Sequence, residues 1–185
     1  MSNSIKGRGR PSGVPEARAI LVAYTAVTTA LVYVTTCIAV PMPRPLGVWH
    51  LGDVGSFIAA VLFGPRIGAF ACGVGAMLFD VWNPLYQSSF IQWAPATLVI
   101  RGVMGYIVGR LRRMIPGRPR LSEVLAMALS HVWKNLAYFS YDYALFGPVA
   151  YLDLVTFFPL SVIDIAAAAL ALSALRRYLR REYIT

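Results

Sequence analysis

The stretch HLGDVGSFIAAVLFGPRIGAFACGVGAMLFDVW, residues 50–82, decides the fold of this 185-residue chain. It is almost continuously apolar, yet Gly64 and Pro65 interrupt it in the middle. Because proline starts a helix well but cannot continue one, we interpret Gly-Pro-Arg as a tight turn between two helices at a membrane face. The first of these helices is short, about 13 residues or roughly 20 Å. Asp53 stands at its entrance, where we expect it to cap the helix.

The composition indicates a membrane protein. Hydrophobic residues make up 58% of the chain and charged residues only 14%, whereas soluble domains average about 45–50% apolar residues. The net charge of +9 does not indicate a nucleic-acid-binding protein, because the basic residues form short clusters between apolar segments. Cys37 and Cys72 lie inside apolar runs, so we predict small core residues, with no disulfide framework, no metal site and no cofactor.

The apolar runs predict an all-α membrane protein with six transmembrane helices. We divide the chain into a basic tail at 1–16, a transmembrane domain at 17–179 and a C-terminal tail at 180–185. Ser122 is the expected cap of the fifth span. The predicted spans are about 17–40, 53–64, 65–82, 95–111, 123–145 and 155–175.

The basic residues predict the orientation of these spans. With an inside N-terminus, the inner segments hold 14 of the 17 lysines and arginines. The outer loops hold only Arg44, while Arg101 and Lys134 fall within spans. This positive-inside asymmetry predicts that both termini are cytoplasmic. The 14 inner residues are Lys6, Arg8, Arg10, Arg18, Arg66, Arg110, Arg112, Arg113, Arg118, Arg120, Arg176, Arg177, Arg180 and Arg181.

The costly polar residues of the spans share one depth range, between the midplane and the outer surface. Charged groups within spans are expensive, so they point to function. In the fifth span, His131, Asn135, Tyr138 and Asp142 recur at i, i+4, i+7 and i+11 and so share one helix face. This predicts a cup that opens outward and is closed at the bottom, suited to a small, flat, polar ligand. The other residues placed at this depth are Trp49, His50, Asp53, Asp80, Asn83, Tyr86, Gln87, Gln92, Trp93, Arg101, Lys134, Tyr141, Asp153 and Asp164.

Several of these residues also have a purely structural interpretation. Trp82, Trp93 and Tyr143 could belong to the aromatic belt at the membrane interface. Asp80 could simply pair with Arg101. His50 and His131 are more often structural residues than metal ligands, because no second ligand accompanies either one at metal-binding spacing.

The first span carries a stripe of small residues. Ala19, Ala23, Ala26 and Ala30 recur at i, i+4, i+7 and i+11. Small residues let helices approach closely in lipid, so this stripe predicts a helix–helix contact. The partner could be another protein or a helix of the same bundle, and the sequence leaves both open.

The opening stretch together with WAPATLVIRGVMGYIVGRL, residues 93–111, resembles the substrate-binding S components of energy-coupling factor (ECF) vitamin transporters, particularly the riboflavin-type group. The similarity covers residues 17–175. Its most specific parts are Leu-Gly-Asp at 51–53, Leu-Phe-Gly-Pro at 62–65, and the run from Trp-Ala-Pro to Arg-Gly at 93–102. Their order and spacing together carry the resemblance.

The resemblance implies a membrane subunit that captures a water-soluble vitamin, riboflavin or a similar compound, from outside for ATP-driven uptake. It implies docking onto a transmembrane coupling (T) subunit driven by two cytoplasmic ATPases, through Ala19/Ala23 or Ala26/Ala30. The loop 41–52 would act as a lid over the ligand. The chain departs from the family pattern at Asp164, in a sixth span that lacks the usual glycine, and at Arg101, where lysine is common.

We therefore expect a vitamin-binding subunit that is not an enzyme. The alternatives are a stand-alone carrier or channel, which would need a polar path through the inner half, and an intramembrane enzyme using His131, Asp142 and Asp164, for which no nucleophile or metal set is visible. The expected substrate-binding residues are Trp49, His50, Asn83, Tyr86, Trp93, Arg101, Lys134, Asn135, Tyr138, Tyr141 and Asp164.

Overall fold

The computed structural model describes residues 14–42 and 47–184, with side chains described only between 16 and 179. The predictions for Lys6, Arg8, Arg10, Arg44, Arg180 and Arg181 therefore fall outside the described side chains. The described helices are α1 (Val14–Cys37), α2 (Gly52–Phe63), α3 (Pro65–Val81), α4 (Ala94–Leu111), α5 (Pro119–Phe146) and α6 (Tyr151–Ile184). Two short strands, β1 (Ala39–Pro41) and β2 (Val48–His50), and two 3-10 turns, Ile91–Trp93 and Gly147–Ala150, complete them.

The structure is that of a predominantly helical membrane protein, as the composition predicts. Three stretches of the described chain are long and apolar enough to cross a membrane: Glu16–Cys37, Ile91–Leu111 and Pro119–Leu179, the last of which contains α5 and most of α6. The helices α2 and α3 are shorter, with 12 and 17 residues. At the helical rise they reach about 18 Å and 26 Å, so α2 alone is too short to span a bilayer core.

The predicted turn between α2 and α3 is present. Gly64 has φ 86°, a left-handed conformation that favours glycine, and Pro65 begins α3. Arg112, just beyond α4, donates a hydrogen bond from Nη1 to the carbonyl oxygen of Val61. Gly109 of α4 lies directly against this turn, since a Cβ added there would come within 2.5 Å of the Pro65 nitrogen. The turn is thus tied to the end of α4.

Three expectations about helix ends are wrong. Ser122 does not cap α5, because the helix already begins at Pro119; its hydroxyl instead accepts a hydrogen bond from the Ile115 N–H at 2.8 Å and so fixes the preceding loop. Asp53 makes no capping hydrogen bond to α2, because its carboxylate is bound by Arg101 and Lys134. The first span was expected to run to Val40, but α1 ends at Cys37 because Ala39–Pro41 pair as β1. The predicted sixth span lies within α6.

The loop between α1 and α2 contains a small antiparallel hairpin that was not predicted. Ala39 pairs with His50, Val40 with Trp49 and Pro41 with Val48. The expected lid, 41–52, overlaps its second strand, and residues 43–46 lie outside the described part. The hairpin places Trp49 and His50 next to the N-terminus of α2.

The buried apolar residues gather towards one end of the bundle. They lie from the middle of α2 onwards, in the second halves of α4 and α6, and in the first half of α5. Since consecutive helices run in opposite directions, these segments meet at the end remote from the hairpin. The members of this apolar cluster are Phe57, Ala60, Val61, Met104, Val108, Met127, Ala168 and Leu172.

Candidate functional site

A cavity of about 890 Å³ lies at the hairpin end of the helices, within the size range of small-molecule sites. Its walls come from the hairpin, the start of α2, the end of α3, the start of α4, the second half of α5 and the first half of α6. The apolar cluster therefore lies beyond its floor. The lining residues are Gly47, Val48, Trp49, His50, Asp53, Phe79, Asp80, Phe90, Gln92, Trp93, Thr97, Arg101, Lys134, Asn135, Tyr138, Asp142, Phe146, Val149, Ala150, Asp153, Phe157, Leu160 and Asp164.

Three charged residues form an ion cluster at the floor of this cavity. Arg101 Nη2 of α4 lies 2.8 Å from Asp53 Oδ1 of α2, and Lys134 Nζ of α5 pairs with Asp53 Oδ2. Arg101 and Asp53 are each only 2% exposed. Arg101 also donates to Ser56 Oγ at 3.1 Å. One carboxylate thus holds two cations from two other helices, which leaves one positive charge of the ion cluster unmatched.

His50 of the hairpin presents a proton donor to this ion cluster. Burial lowers the pKa of His50 to about 3, and the positive charge of Arg101 acts in the same direction, so the ring is neutral at pH 7. The Gly52 N–H donates to Nδ1 at 3.2 Å, which places the ring proton on Nε2. Nε2 faces Arg101 Nη1 at 3.5 Å. Two donors this close together can share one acceptor that lies to the side of both, which a bound ligand can supply.

His131 and Asp164 lie next to the ion cluster, on α5 and α6. His131 Nδ1 is 3.7 Å from Asp53 Oδ2, and its Nε2 is 4.0 Å from Asp164 Oδ2. One ligand atom from each of these three residues lies within 4.8 Å of the others, a spacing that a metal ion could use. However, Asp53 already binds two cationic side chains, so a further cation there would be repelled. The arrangement favours hydrogen bonding over metal binding.

The walls above the floor combine hydrogen-bonded polar groups with aromatic rings. Tyr138 donates to Thr97 Oγ1 at 2.9 Å, and Trp93 Nε1 donates to Asp142 Oδ1 at 2.6 Å. The rings of Phe79 and Phe90 stack with 5.9 Å between centroids and 15° between planes. Flat apolar faces next to fixed polar groups suit a planar heterocycle.

The structure brings eight of the eleven expected substrate-binding residues together around the cavity. They are Trp49, His50, Trp93, Arg101, Lys134, Asn135, Tyr138 and Asp164. They arise from the hairpin and from α4, α5, α6 and the turn before α4. Asn135 also donates from Nδ2 to Ser161 Oγ at 3.0 Å, which joins α5 to α6.

The other three expected residues lie outside the cavity lining. Asn83 accepts hydrogen bonds from the Leu85 and Tyr86 N–H groups and donates to two carbonyl oxygens, so it shapes the loop after α3. Tyr86 packs edge-on against Phe90, with 5.5 Å between centroids. Tyr141 donates to the Gln92 carbonyl at 2.7 Å on the outer side of the walls.

The structure also shows the partner of Arg101 and the exposure of the expected belt residues. The ion-pair partner of Arg101 is Asp53, not Asp80. Trp82 and Tyr143 are 56% and 45% exposed, as belt residues would be, whereas Trp93 lines the cavity.

Sequence reasoning missed the lining residues Thr97, Phe157 and Leu160. Thr97 lies one helical turn before Arg101, a spacing that could have revealed it.

Several buried polar atoms around the cavity have no hydrogen-bond partner among the described residues. They include Trp49 Nε1, Asp80 Oδ2, Asp164 Oδ1, Arg101 Nε and both ring nitrogens of His131. Buried polar atoms are rarely left unpaired, because the loss of their hydrogen bonds to water costs about 1–3 kcal/mol each. Such atoms gathered at one cavity indicate a site built for a polar ligand.

The predicted alanine stripe of α1 lies on the surface. Ala19, Ala23, Ala26 and Ala30 are all exposed. The small residues of α3 differ, because a Cβ added at Gly68 or Gly75 would collide with neighbouring helices. The α1 stripe is therefore exposed at the surface of the described bundle and not packed inside it.

Two comparisons relate the chain to known proteins. The family model for the ECF-type riboflavin transporter, S component, matches residues 18–175. A protein from Pyrococcus woesei, described as an uncharacterized protein in a gap 3' region, is 36% identical over 119 residues, which cover 64% of this chain and 75% of that protein. The family match confirms the resemblance found in the sequence.

Proposed function

We propose a function from one premise: the chain belongs to the family of ECF-type riboflavin transporter S components. Members of this family are substrate-binding subunits of transporters and not enzymes. We infer that this chain captures riboflavin or a similar water-soluble vitamin from outside the cell. It then delivers the vitamin to an ATP-driven ECF complex.

The observation that carries this proposal is the gathering of unpartnered buried polar atoms around one aromatic cavity. Asp164 Oδ1, Asp80 Oδ2 and Arg101 Nε provide both acceptors and donors within a volume of about 890 Å³. Riboflavin has a planar ring with carbonyl and N–H groups and a chain of hydroxyls. The aromatic rings of the cavity suit the planar ring of riboflavin, and the mixed donors and acceptors suit its carbonyl, N–H and hydroxyl groups. Lys134, Asn135, Tyr138 and Asp164 would make polar contacts, and Trp49 and Trp93 would stack.

The proposed orientation has six spans, cytoplasmic termini and the cavity facing outward. This orientation is supported by the arginines at the helix ends remote from the cavity. Because basic residues favour the cytoplasmic side of a membrane, that end of the bundle is the inner one. These residues are Arg66, Arg110, Arg112, Arg113, Arg118, Arg120, Arg176 and Arg177. In the described part of the chain, the apolar cluster beyond the cavity floor offers no polar path to that side, which argues against a stand-alone carrier.

The proposed partners are a transmembrane coupling subunit and two cytoplasmic ATPases. The sequence contains no phosphate-binding loop of the Walker type, so the energy for uptake would have to come from another chain. The exposed alanine stripe of α1 supports a helix–helix contact with the coupling subunit.

The test is a binding titration of the full chain purified in detergent. We expect riboflavin or a closely similar vitamin to bind with a micromolar or lower dissociation constant, and co-purifying ligand to be identified by absorbance and mass. Liposomes that contain this chain alone should not accumulate the vitamin. A well-folded sample that binds no vitamin would contradict vitamin capture, and uptake by the chain alone would favour the carrier.

A further inference from the structure

The charges that line the cavity are unevenly distributed with depth. Both cationic side chains, Arg101 and Lys134, are at the floor and are held by Asp53. The other four carboxylates of the lining have no lysine or arginine partner among the described residues. They are Asp80, Asp142, Asp153 and Asp164.

Two of these carboxylates lie well above the floor. Asp142 is eight residues beyond Lys134 on α5, or roughly 12 Å along the helix. Asp153 lies in the first turn of α6, eleven residues or roughly 16 Å before Asp164. Both are partly exposed, in contrast to Asp53 and Asp164, which are 2% exposed. The mouth of the cavity therefore carries two carboxylates, and the cations lie at its floor.

The deeper carboxylates provide an independent sign of a ligand with hydrogen-bond donors. Asp164 is only 2% exposed and lines the cavity, yet its Oδ1 accepts no hydrogen bond from the described residues. Asp80 of α3 also lines the cavity and is 8% exposed, and within the described part of the chain its Oδ2 has no hydrogen-bond partner. Carboxylate oxygens of this kind are satisfied by N–H or O–H groups and not by the oxygens of an anion.

We propose that the cavity selects neutral or cationic ligands with donor-rich tails and rejects their phosphorylated forms, through Asp142 and Asp153 at the mouth. This rests on the proposed function, because it takes the ligand to be a vitamin whose ring lies at the floor. The tail then lies beside the two aspartates, whose carboxyl groups are next to each other at the mouth. Hydroxyl or amino groups donate to these carboxylates, whereas a phosphate, with about −1.5 to −2 charges at pH 7, is repelled.

The test compares matched ligand pairs that differ only by a phosphate: riboflavin with its 5'-phosphate, and thiamine with its monophosphate. The full chain in detergent is titrated with all four compounds at low ionic strength. We expect the unphosphorylated member to bind at least about tenfold more tightly, as a repulsion between partly buried like charges implies. Equal affinity within the pair that binds would overturn the proposal.

Substitutions at Asp142 and Asp153 then test whether these two residues cause the preference against phosphate esters. The double substitution Asp142→Asn and Asp153→Asn keeps hydrogen-bond acceptors, including the one used by Trp93, but removes both charges. We expect the double variant to reduce the preference for the unphosphorylated vitamin over its phosphate ester, as a ratio of affinities, at least about threefold. The main change should be tighter binding of the phosphate ester. Glu16→Gln removes an exposed charge on α1 and should leave the ratio unchanged. A ratio that does not move in the double variant overturns the assignment.

The same titration separates this proposal from the proposed function. A vitamin that binds tightly, with no preference over its phosphate ester, contradicts only the selection by charge. A folded protein that binds none of the four compounds contradicts both. A preference for the phosphate ester would show that the unmatched positive charge of the floor, and not the mouth, governs selection.

Discussion

Lys134 of α5 forms an ion pair with Asp53 of α2, which joins residues 81 positions apart in the chain at the floor of the cavity. Arg101 of α4 binds the other oxygen of the same carboxylate. The ion cluster therefore fixes three helices relative to one another and to the ligand site.

Substitution of Asp53 should be strongly destabilising. Asp53→Ala leaves Arg101 and Lys134 buried without a counter-charge, and breaking a buried ion pair in this way costs about 3–5 kcal/mol. We expect a clear fall in the thermal unfolding temperature in detergent and loss of vitamin binding. Glu16→Gln, which removes an exposed carboxylate, should change neither. Wild-type stability in Asp53→Ala would show that the ion cluster does not stabilise the bundle.

The fold was largely predictable because lipid imposes long apolar runs and glycine-proline breaks on the sequence. The turn at Gly64 and Pro65 was placed correctly for this reason. The capping role expected of Asp53 was wrong because local sequence shows a short acid at a helix start but not the cations of α4 and α5 that reach it. The hairpin was missed because three-residue strands leave almost no alternating pattern.

The site was partly predictable for a similar reason. Polar residues in spans are rare, so their depth indicated the cavity, and the helical spacing of Asn135 and Tyr138 placed both on one wall. Site residues in loops were harder to predict, because the direction of a loop side chain depends on turns that leave no periodic pattern in the sequence. Asn83 is the example, since its side chain folds back onto the Leu85 and Tyr86 backbone.

Close packing of α4 against the α2–α3 turn predicts a sharp difference between two glycines. A Cβ at Gly109 would lie 2.5 Å from the Pro65 nitrogen, whereas the nearest atom to a Cβ at Gly102 is 3.5 Å away. We expect Gly109→Ala to destabilise the protein by about 1–3 kcal/mol, because backbone must move to accommodate it. Gly102→Ala should be tolerated. Thermal unfolding of both variants in detergent measures this, and equal stability would contradict the close approach.

Two tyrosines of α5 lie on different sides of the cavity wall, so their substitution distinguishes its two faces. Tyr138 lines the cavity and donates to Thr97, whereas Tyr141 donates to the Gln92 carbonyl outside it. We expect Tyr138→Phe to weaken vitamin binding about three- to tenfold, as loss of one buried hydrogen-bonding group implies. Tyr141→Phe should change affinity less than about twofold. The reverse order in a binding titration would show that the ligand contacts the other face of α5.

The exposed stripe of α1 predicts a variant that binds the vitamin but does not transport it. Ala23→Trp places a large ring in the middle of four exposed alanines, which blocks close helix approach without touching the cavity. We expect uptake by cells that contain the complete transporter to fall at least about tenfold, while the dissociation constant of the purified chain stays within about twofold. Leu21→Trp is the control, because Leu21 is 54% exposed on the opposite side of the same helix. If Leu21→Trp blocks uptake and Ala23→Trp does not, the coupling subunit docks on the other face of α1.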